Sequence, residues 1–183
     1  MLRKQGMKRS MARFDIVGQL GSLRRYARSL TRDSADAEDL VHDALVRAYE
    51  RRATFRSGGN LRAWLLAIAH NIFIDRMRSR RSEAARIEQA GLVADQSMPA
   101  SQDHSVRLSQ VREAFLSLPE EQRSALHLVA IEGLSYQQAA EVIGVPLGTL
   151  MSRIGRARAA LREMEEGAQQ KARPHLRIVG DDQ

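Results

Sequence analysis

The stretch that most limits what this chain can fold into is "LSYQQAAEVIGVPLGTLMSRIGRAR", Leu134 to Arg158. Ser135 and Gln138 stand three apart, as a capping box requires at a helix start. A short helical pattern follows to Ile143, and Gly144 then offers the left-handed backbone that ends a helix in a sharp turn. Pro146 precedes a second helix, expected from Leu147 to about Arg162. Ala140 is small enough to let the two helices cross closely, and Leu150 supplies the apolar contact between them. This register is that of a helix-turn-helix.

On the second helix Leu147, Leu150, Ile154, Ala157 and Leu161 recur at threes and fours and are expected to pack inward. Wheel geometry turns Gly148, Thr149, Ser152, Gly155 and Arg156 outward, with Arg153 beside them. A hydroxyl and an arginine on the first turns of such a helix suit a DNA major groove. Arg158 and Arg162 fall off that face and either help position phosphates or stay solvated. The alternative is a helical hairpin whose basic face is only solvated.

The first half of the chain is also helical in pattern. Leu20, Leu23, Ala27 and Leu30 form one stripe. Asp33 or Ser34 caps a second helix, whose stripe is Ala37, Leu40, Val41, Ala44, Leu45, Ala48 and Tyr49, with acidic residues suited to its N-terminal end. "RSGG" breaks the pattern, Asn60 caps a third helix, and Leu61, Trp64, Leu65, Ile68, Ala69, Ile72 and Phe73 share its apolar side. That helix ends in the basic "DRMRSRR". Residues 83–105, rich in Ser, Gln and Asp, lose periodicity and read as a linker. Periodicity resumes at Leu108, Val111, Phe115 and Leu118, and Pro119 opens another helix closed by Gly133.

The expected fold is therefore all-α, two small helical domains joined by a flexible linker. The expected segments are a basic N-terminal extension over 1–12, a bundle over 13–82, the linker over 83–105, the helix-turn-helix domain over 106–163 and a tail over 164–183. Nothing in the linker fixes how the two domains sit.

Composition narrows the partners. There are 29 Lys and Arg against 22 Asp and Glu, a net charge of +7, which favours a polyanion. With no cysteine, disulfides and thiolate metal sites are excluded. The five histidines are scattered without metal-ligand spacing. No apolar run approaches the roughly eighteen residues that span a bilayer, and the basic N-terminus lacks the apolar core of a secretory signal. A cytoplasmic protein without cofactor or small-molecule substrate is expected.

"DAEDLVHDALVRAYERRATFRSGGNLRAWLLAIAHNIFIDRMRSRR" closely resembles region 2 of bacterial RNA polymerase sigma factors of the extracytoplasmic-function group. "LPEEQRSALHLVAIEGLSYQQAAEVIGVPLGTLMSRIGRARAAL" resembles their region 4. The form "LRRYARSLTRD…NLRAWL" is similar to the subgroup linked to general stress responses. The resemblance implies a factor that binds core RNA polymerase, reads the −35 promoter element with region 4 and melts the −10 element with region 2. It brings no catalytic residue of its own and is held in check by an anti-sigma factor.

Carried over by position, the resemblance assigns Asp39, His42, Asp43, Val46 and Arg47 to the polymerase-docking helix. Without it, an Asp43–Arg47 intrahelical pair would be the simpler reading. His42 stands where relatives commonly have glutamine. "TFRSGGN" corresponds to the loop that captures a flipped −10 base, with Phe55 and Asn71 at the base pocket, Arg56 among the DNA-binding residues and Arg62 on the strand; a core residue under the loop is the other reading of Phe55. Extruding a base costs a few kcal/mol, so such a pocket must return stacking and edge hydrogen bonds. Trp64 lies in the apolar stripe and is expected in the core. Arg76, Arg78, Arg80 and Arg81 would follow the DNA backbone. In region 4, Thr149, Ser152, Arg153, Arg156 and Arg158 would meet the −35 duplex. Met151 stands where some relatives have arginine, and Gly155 where a larger side chain can reach DNA. A different class remains: a stand-alone helix-turn-helix regulator whose N-terminal bundle only dimerises.

Overall fold

The computed structural model describes residues 15–56, 58–89 and 106–172. The N-terminal extension, Ser57, most of the linker, the side chain of Leu108 and the end of the tail lie outside these residues. Among the described residues the chain is helical, with no strand. After a 3-10 turn at Val17–Gln19 come α1 (Leu20–Thr31), α2 (Ser34–Glu50), a 3-10 turn at Arg52–Thr54, and α3 (Leu61–Gln89). The second half contributes α4 (Val106–Ser117), α5 (Glu120–Ala130), α6 (Tyr136–Ile143) and α7 (Leu147–Ala172).

The helix starts follow the caps expected. The Asp33 side chain accepts from the Asp36 amide at 2.9 Å, and Asn60 Oδ1 accepts from the Ala63 amide at 3.1 Å. At α6 both arms of the capping box form, Gln138 N to Ser135 Oγ at 3.2 Å and Ser135 N to Gln138 Oε1 at 3.1 Å. Each such cap is worth about 1 kcal/mol.

Two helix ends run past their expected limits. α3 continues through Gln89, seven residues into the segment read as linker. Arg78 to Arg86 are exposed, so no apolar stripe marks this extension. Ala84, Ala85, Glu83 and Arg86 carry it by helix propensity, with a Glu83–Arg86 pair at 3.7 Å. α7 likewise continues to Ala172, where Met164 meets Ser117 at the end of α4.

The first three helices pack around Leu23, Tyr26, Leu30, Leu40, Val41, Leu65, Leu66 and Phe73. The last four enclose Leu118, Ala125, Leu128, Leu134, Val142, Leu150 and Ile154. These two sets join into one connected core. Burying a leucine contributes about 1.5–3 kcal/mol, so α1–α3 alone have the apolar content of a small bundle. Three stripe residues lie exposed, and others, Trp64 among them, pack half-buried against the core. Tyr49, at 63% exposure, lies outside, its ring under the Arg52 guanidinium. Val111 is exposed because α4 meets the rest of its domain at its C-terminal end, where Leu118 is buried. Leu147, at 40% exposure, precedes the first residue of α7 that faces α6, and Trp64 is half-buried on the loop side of α3.

The two domains pack directly against each other, α1 on α5 and α3 on α6. This answers what the linker left open: the fixing groups lie on the helices. α5 is buried without a break from Arg123 to Leu128, because α1 covers one side and α6 and α7 the other.

Candidate nucleic-acid interface

In the second domain Gly144 adopts φ +75°, and its amide donates to Ala140 O at 2.9 Å. That turn sets α7 across α6 over the buried Ala139 and Ala140. The outward face of α7 is low at its centre, since a side chain at Gly148 or Gly155 would meet nothing within 4 Å. Ser152, Arg156 and Arg158 are exposed on or beside it. Thr149 is half-buried, and its carbonyl accepts a hydrogen bond from the Ser152 hydroxyl at 2.8 Å. Arg153 bonds Glu121 at 2.9 Å and keeps 18% of its side chain exposed. Met151, 52% exposed, and Leu147 add an apolar edge; the inward reading of Leu147 missed half of it.

In the first domain Asp39, His42, Asp43, Val46 and Arg47 all lie exposed on α2. Asp43 does not pair with Arg47. It receives Arg76 from α3, while Arg47 turns to Glu50 at 3.7 Å. Arg80 similarly reaches Asp36 at 3.3 Å. Two of the arginines expected along DNA are therefore engaged with the acidic side of α2, and Arg78 stays exposed.

The loop after α2 turns at Gly58, φ +91°. Phe55 is half-buried, its ring tilted 56° to Trp64 with centroids 5.4 Å apart. These rings border a cavity of about 440 Å³ whose near wall also includes Arg56, Asn60 and Ala67. Its far wall is Gln138, Glu141 and Val142 of α6. Asn71, exposed on α3 one turn beyond Ala67, lies outside the cavity lining, so Phe55 and Arg56 are brought together and Asn71 is not. Arg62 is half-buried and donates to Glu132 O at 3.0 Å.

Sequence reasoning missed the seam to which Arg62 belongs. Glu132 is 1% exposed and accepts from Ser22 and from Arg25, the latter through Nε at 3.1 Å and Nη2 at 3.2 Å. Burial pushes its carboxyl up, but the contacts with His127, Ser22 and Arg25 outweigh this and hold it at about 2. Arg123, 2% exposed, donates to Ser29 O and Leu30 O at the end of α1, and to Leu116 O and Leu118 O beside α5. It thereby satisfies terminal carbonyls of another domain's helix. Burial lowers Arg123 to about 10, with Arg32 nearby adding to the effect, so it stays charged at neutral pH. Arg32, in the left-handed region at φ 64°, donates to Leu118 O at 3.2 Å. Tyr26 packs at the same seam, its hydroxyl 3.0 Å from His70 Nδ1 and its ring 5.3 Å from that of His127. Burial, and then the Arg153 charge, lowers His70 to about 4. The signal in the sequence is "RSALHLV", a helix with no solvated face.

Among the described residues, no cluster of His, Asp or Glu is placed to hold a metal ion, and no helix is long and apolar enough to cross a membrane. Residues 17–83 match the family model for Sigma-70 region 2, and residues 108–161 that for Sigma-70, region 4. The chain is 38% identical over 149 residues to ECF RNA polymerase sigma factor EcfG of Rhodopseudomonas palustris, covering 81% of this chain and 82% of that one. Over 139 residues it is 33% identical to ECF RNA polymerase sigma factor SigW of Bacillus subtilis, covering 70% and 74%. Its fold resembles the sigma factor RpoE solved in complex with the anti-sigma factor NepR from Bartonella quintana, with TM-score 0.69, 33% identity, and 88% and 98% of the two chains covered. It also resembles CnrH in complex with the cytosolic domain of CnrY, with TM-score 0.56, 29% identity and 91% of each chain covered. With these two regions in this order, the chain belongs to the extracytoplasmic-function group of RNA polymerase sigma factors, which bind core polymerase, read the −35 element with region 4 and melt the −10 element with region 2.

Proposed function

We propose the following division of labour for this sigma factor. The α2 face of Asp39, His42, Asp43, Val46 and Arg47 docks core polymerase. Phe55 and Arg56 receive the unpaired −10 strand, Asn71 bonds a base edge further along α3, and Arg62, Arg76, Arg78 and Arg80 follow its backbone. Thr149, Ser152, Arg153, Arg156 and Arg158 hold the −35 duplex. The chemistry belongs to the polymerase, and the chain acts in the cytoplasm, where that enzyme works.

The observation that carries this reading is Val46. It is 47% exposed among Asp39, His42, Asp43 and Arg47, with Tyr49 exposed three residues on, and exposed apolar side chains rimmed by charges are the anatomy of a protein contact. On docking, a basic partner helix takes over Asp43 and frees Arg76 for DNA. Val46→Arg tests this. Binding to core polymerase, followed by gel filtration, is expected to weaken at least tenfold while thermal unfolding stays unchanged; undiminished binding would remove α2 from the interface.

An anti-sigma factor is part of the proposal. It rests on the likeness to the relative solved with one, and on the similarity of the first half to the general-stress subgroup. A small protein covering α2 and the seam would block polymerase binding without touching α7.

A further inference from the structure

We propose that the cavity bordered by Phe55, Trp64 and α6 is a binding site for a free guanine nucleotide. Both domains furnish its walls, so the site does not depend on what Phe55 meets in a polymerase complex.

The region 2 wall suits a flat aromatic ring. The cavity measures about 440 Å³, within the roughly 300–1,000 Å³ that takes a small ligand largely whole. The Phe55 and Trp64 rings are tilted 56° to each other with centroids 5.4 Å apart, an open V against which a base can lie. Stacking of this kind needs only a π-face on the ligand. Gly59 preserves the V: a Cβ there would lie 3.1 Å from Arg56 O and 3.5 Å from the Phe55 ring, crowding the loop that carries it.

The opposite wall supplies groups that can read a base edge. Gln138 and Glu141 stand three apart on α6 and line the cavity together. The Gln138 side-chain oxygen is held by the Ser135 amide at 3.1 Å, so its NH2 is what it can offer a ligand. Glu141 accepts one bond from Gln137 at 3.3 Å and has no cation paired with it among the described residues. A donor beside a carboxylate matches the pairing edge of guanine. There O6 accepts, while N1–H and N2–H2 donate side by side to the two carboxylate oxygens. Adenine would set a lone pair against one of those oxygens. Arg56, exposed on the near wall and also without a paired anion among the described residues, suits the phosphate that a free nucleotide carries.

Region 2 stacks the base and region 4 reads its edge, so the bound nucleotide ties the domains together. By mass action it stabilises the packed chain and opposes complexes in which the domains part.

Trp64, the one tryptophan, serves as the probe. The full-length chain is titrated with GMP, AMP, guanosine and inorganic phosphate, followed by tryptophan fluorescence and by calorimetry. GMP is expected to quench saturably and to bind about tenfold more tightly than AMP or guanosine, with no response to phosphate alone. Glu141→Gln is expected to abolish the preference over AMP while thermal unfolding of the unliganded chain stays unchanged. Arg56→Ala is expected to abolish the preference over guanosine. Guanine could also come from DNA, so a single-stranded tetranucleotide with one internal guanine is the last arm. It is expected to bind more weakly than GMP, because α6 closes the side on which a strand would continue. No saturable response to millimolar GMP overturns the proposal, as do equal binding of GMP and AMP, a response to phosphate alone, or tighter binding of the tetranucleotide. A GMP preference unchanged in Glu141→Gln places the nucleotide elsewhere and overturns the site. Any of these failures leaves the division of labour above untouched, because Glu141 belongs to neither its polymerase face nor its DNA faces.

Discussion

Arg123→Met would show how much of the molecule's unity depends on one side chain. Methionine keeps most of the apolar stem and removes the guanidinium. Four carbonyls then lose a donor, of which Ser29 O and Leu118 O make the shorter bonds and Leu116 O and Leu30 O sit at 3.3 Å. Charge-assisted bonds are worth about 1.5–3 kcal/mol each, and an orphaned buried carbonyl costs about 1–3. Counting the two shorter bonds and crediting the variant for no longer burying a charge leaves a loss of about 3 kcal/mol. With a urea slope of about 2 kcal/mol per molar, the midpoint falls by about 1.5 M. Because two of the four carbonyls belong to α1, part of the loss falls on the seam, and the domains should cease to unfold together. Trp64, the one tryptophan, stands in region 2 beside the seam, so its fluorescence follows that domain while far-UV dichroism follows all helices. The wild type is expected to give coincident urea transitions by both probes, and Arg123→Met two separated ones. Arg123→Lys, which keeps the charge but not the fork, should fall between. Coincident transitions in Arg123→Met, with a midpoint within about 0.3 M of wild type, would refute the reasoning.

Acid should weaken the protein in two stages. His70 is held at about 4, below its ordinary range, so the unfolded chain takes up its proton first, and stability falls by about 2–3 kcal/mol as pH drops from about 6.5 to 4.5. Glu132, held at about 2, contributes stability that is full above about 4.5 and lost below it. His70→Gln should flatten the first stage in pH-dependent urea melts, and an unchanged slope would contradict it. On α7, where Arg153 pairs with Glu121 and Ser152 donates to Thr149 O, the exposed Met151 is expected to meet a thymine methyl group of the −35 element. Replacing −35 thymines by deoxyuridine should weaken holoenzyme binding about two- to fivefold in the wild type and leave Met151→Ala unaffected; equal losses in both would exclude that contact.

What the sequence disclosed was whatever local chemistry writes. The Ser135–Gln138 box, the Asp33 and Asn60 caps and the Gly144 turn need only residues a few positions apart, and each forms as read. The stripe of α2 is equally local, apart from Tyr49 at its end. The seam was not readable, because Ser22 and Glu132 are 110 residues apart and Arg123 lies 93–94 from the α1 carbonyls it joins. No periodicity announces such a pairing, and a buried arginine in "RSALHLV" looks like a solvated one until the helix is seen to be covered on both sides. The candidate site divides the same way. Exposure along α2 followed from the wheel, whereas the engagement of Arg62, Arg76, Arg80 and Arg153 by acidic or carbonyl partners depends on tertiary placement. The extensions of α3 and α7 escaped because helix propensity without an apolar stripe leaves no periodic mark.

The most direct test of the central claim is permanganate probing of a supercoiled genomic promoter with purified core polymerase and this chain. The account predicts reactive, unpaired thymines around −10 and a run-off transcript only when both components are present. Protection of duplex DNA by the chain alone, with no strand opening in the presence of polymerase, would contradict it.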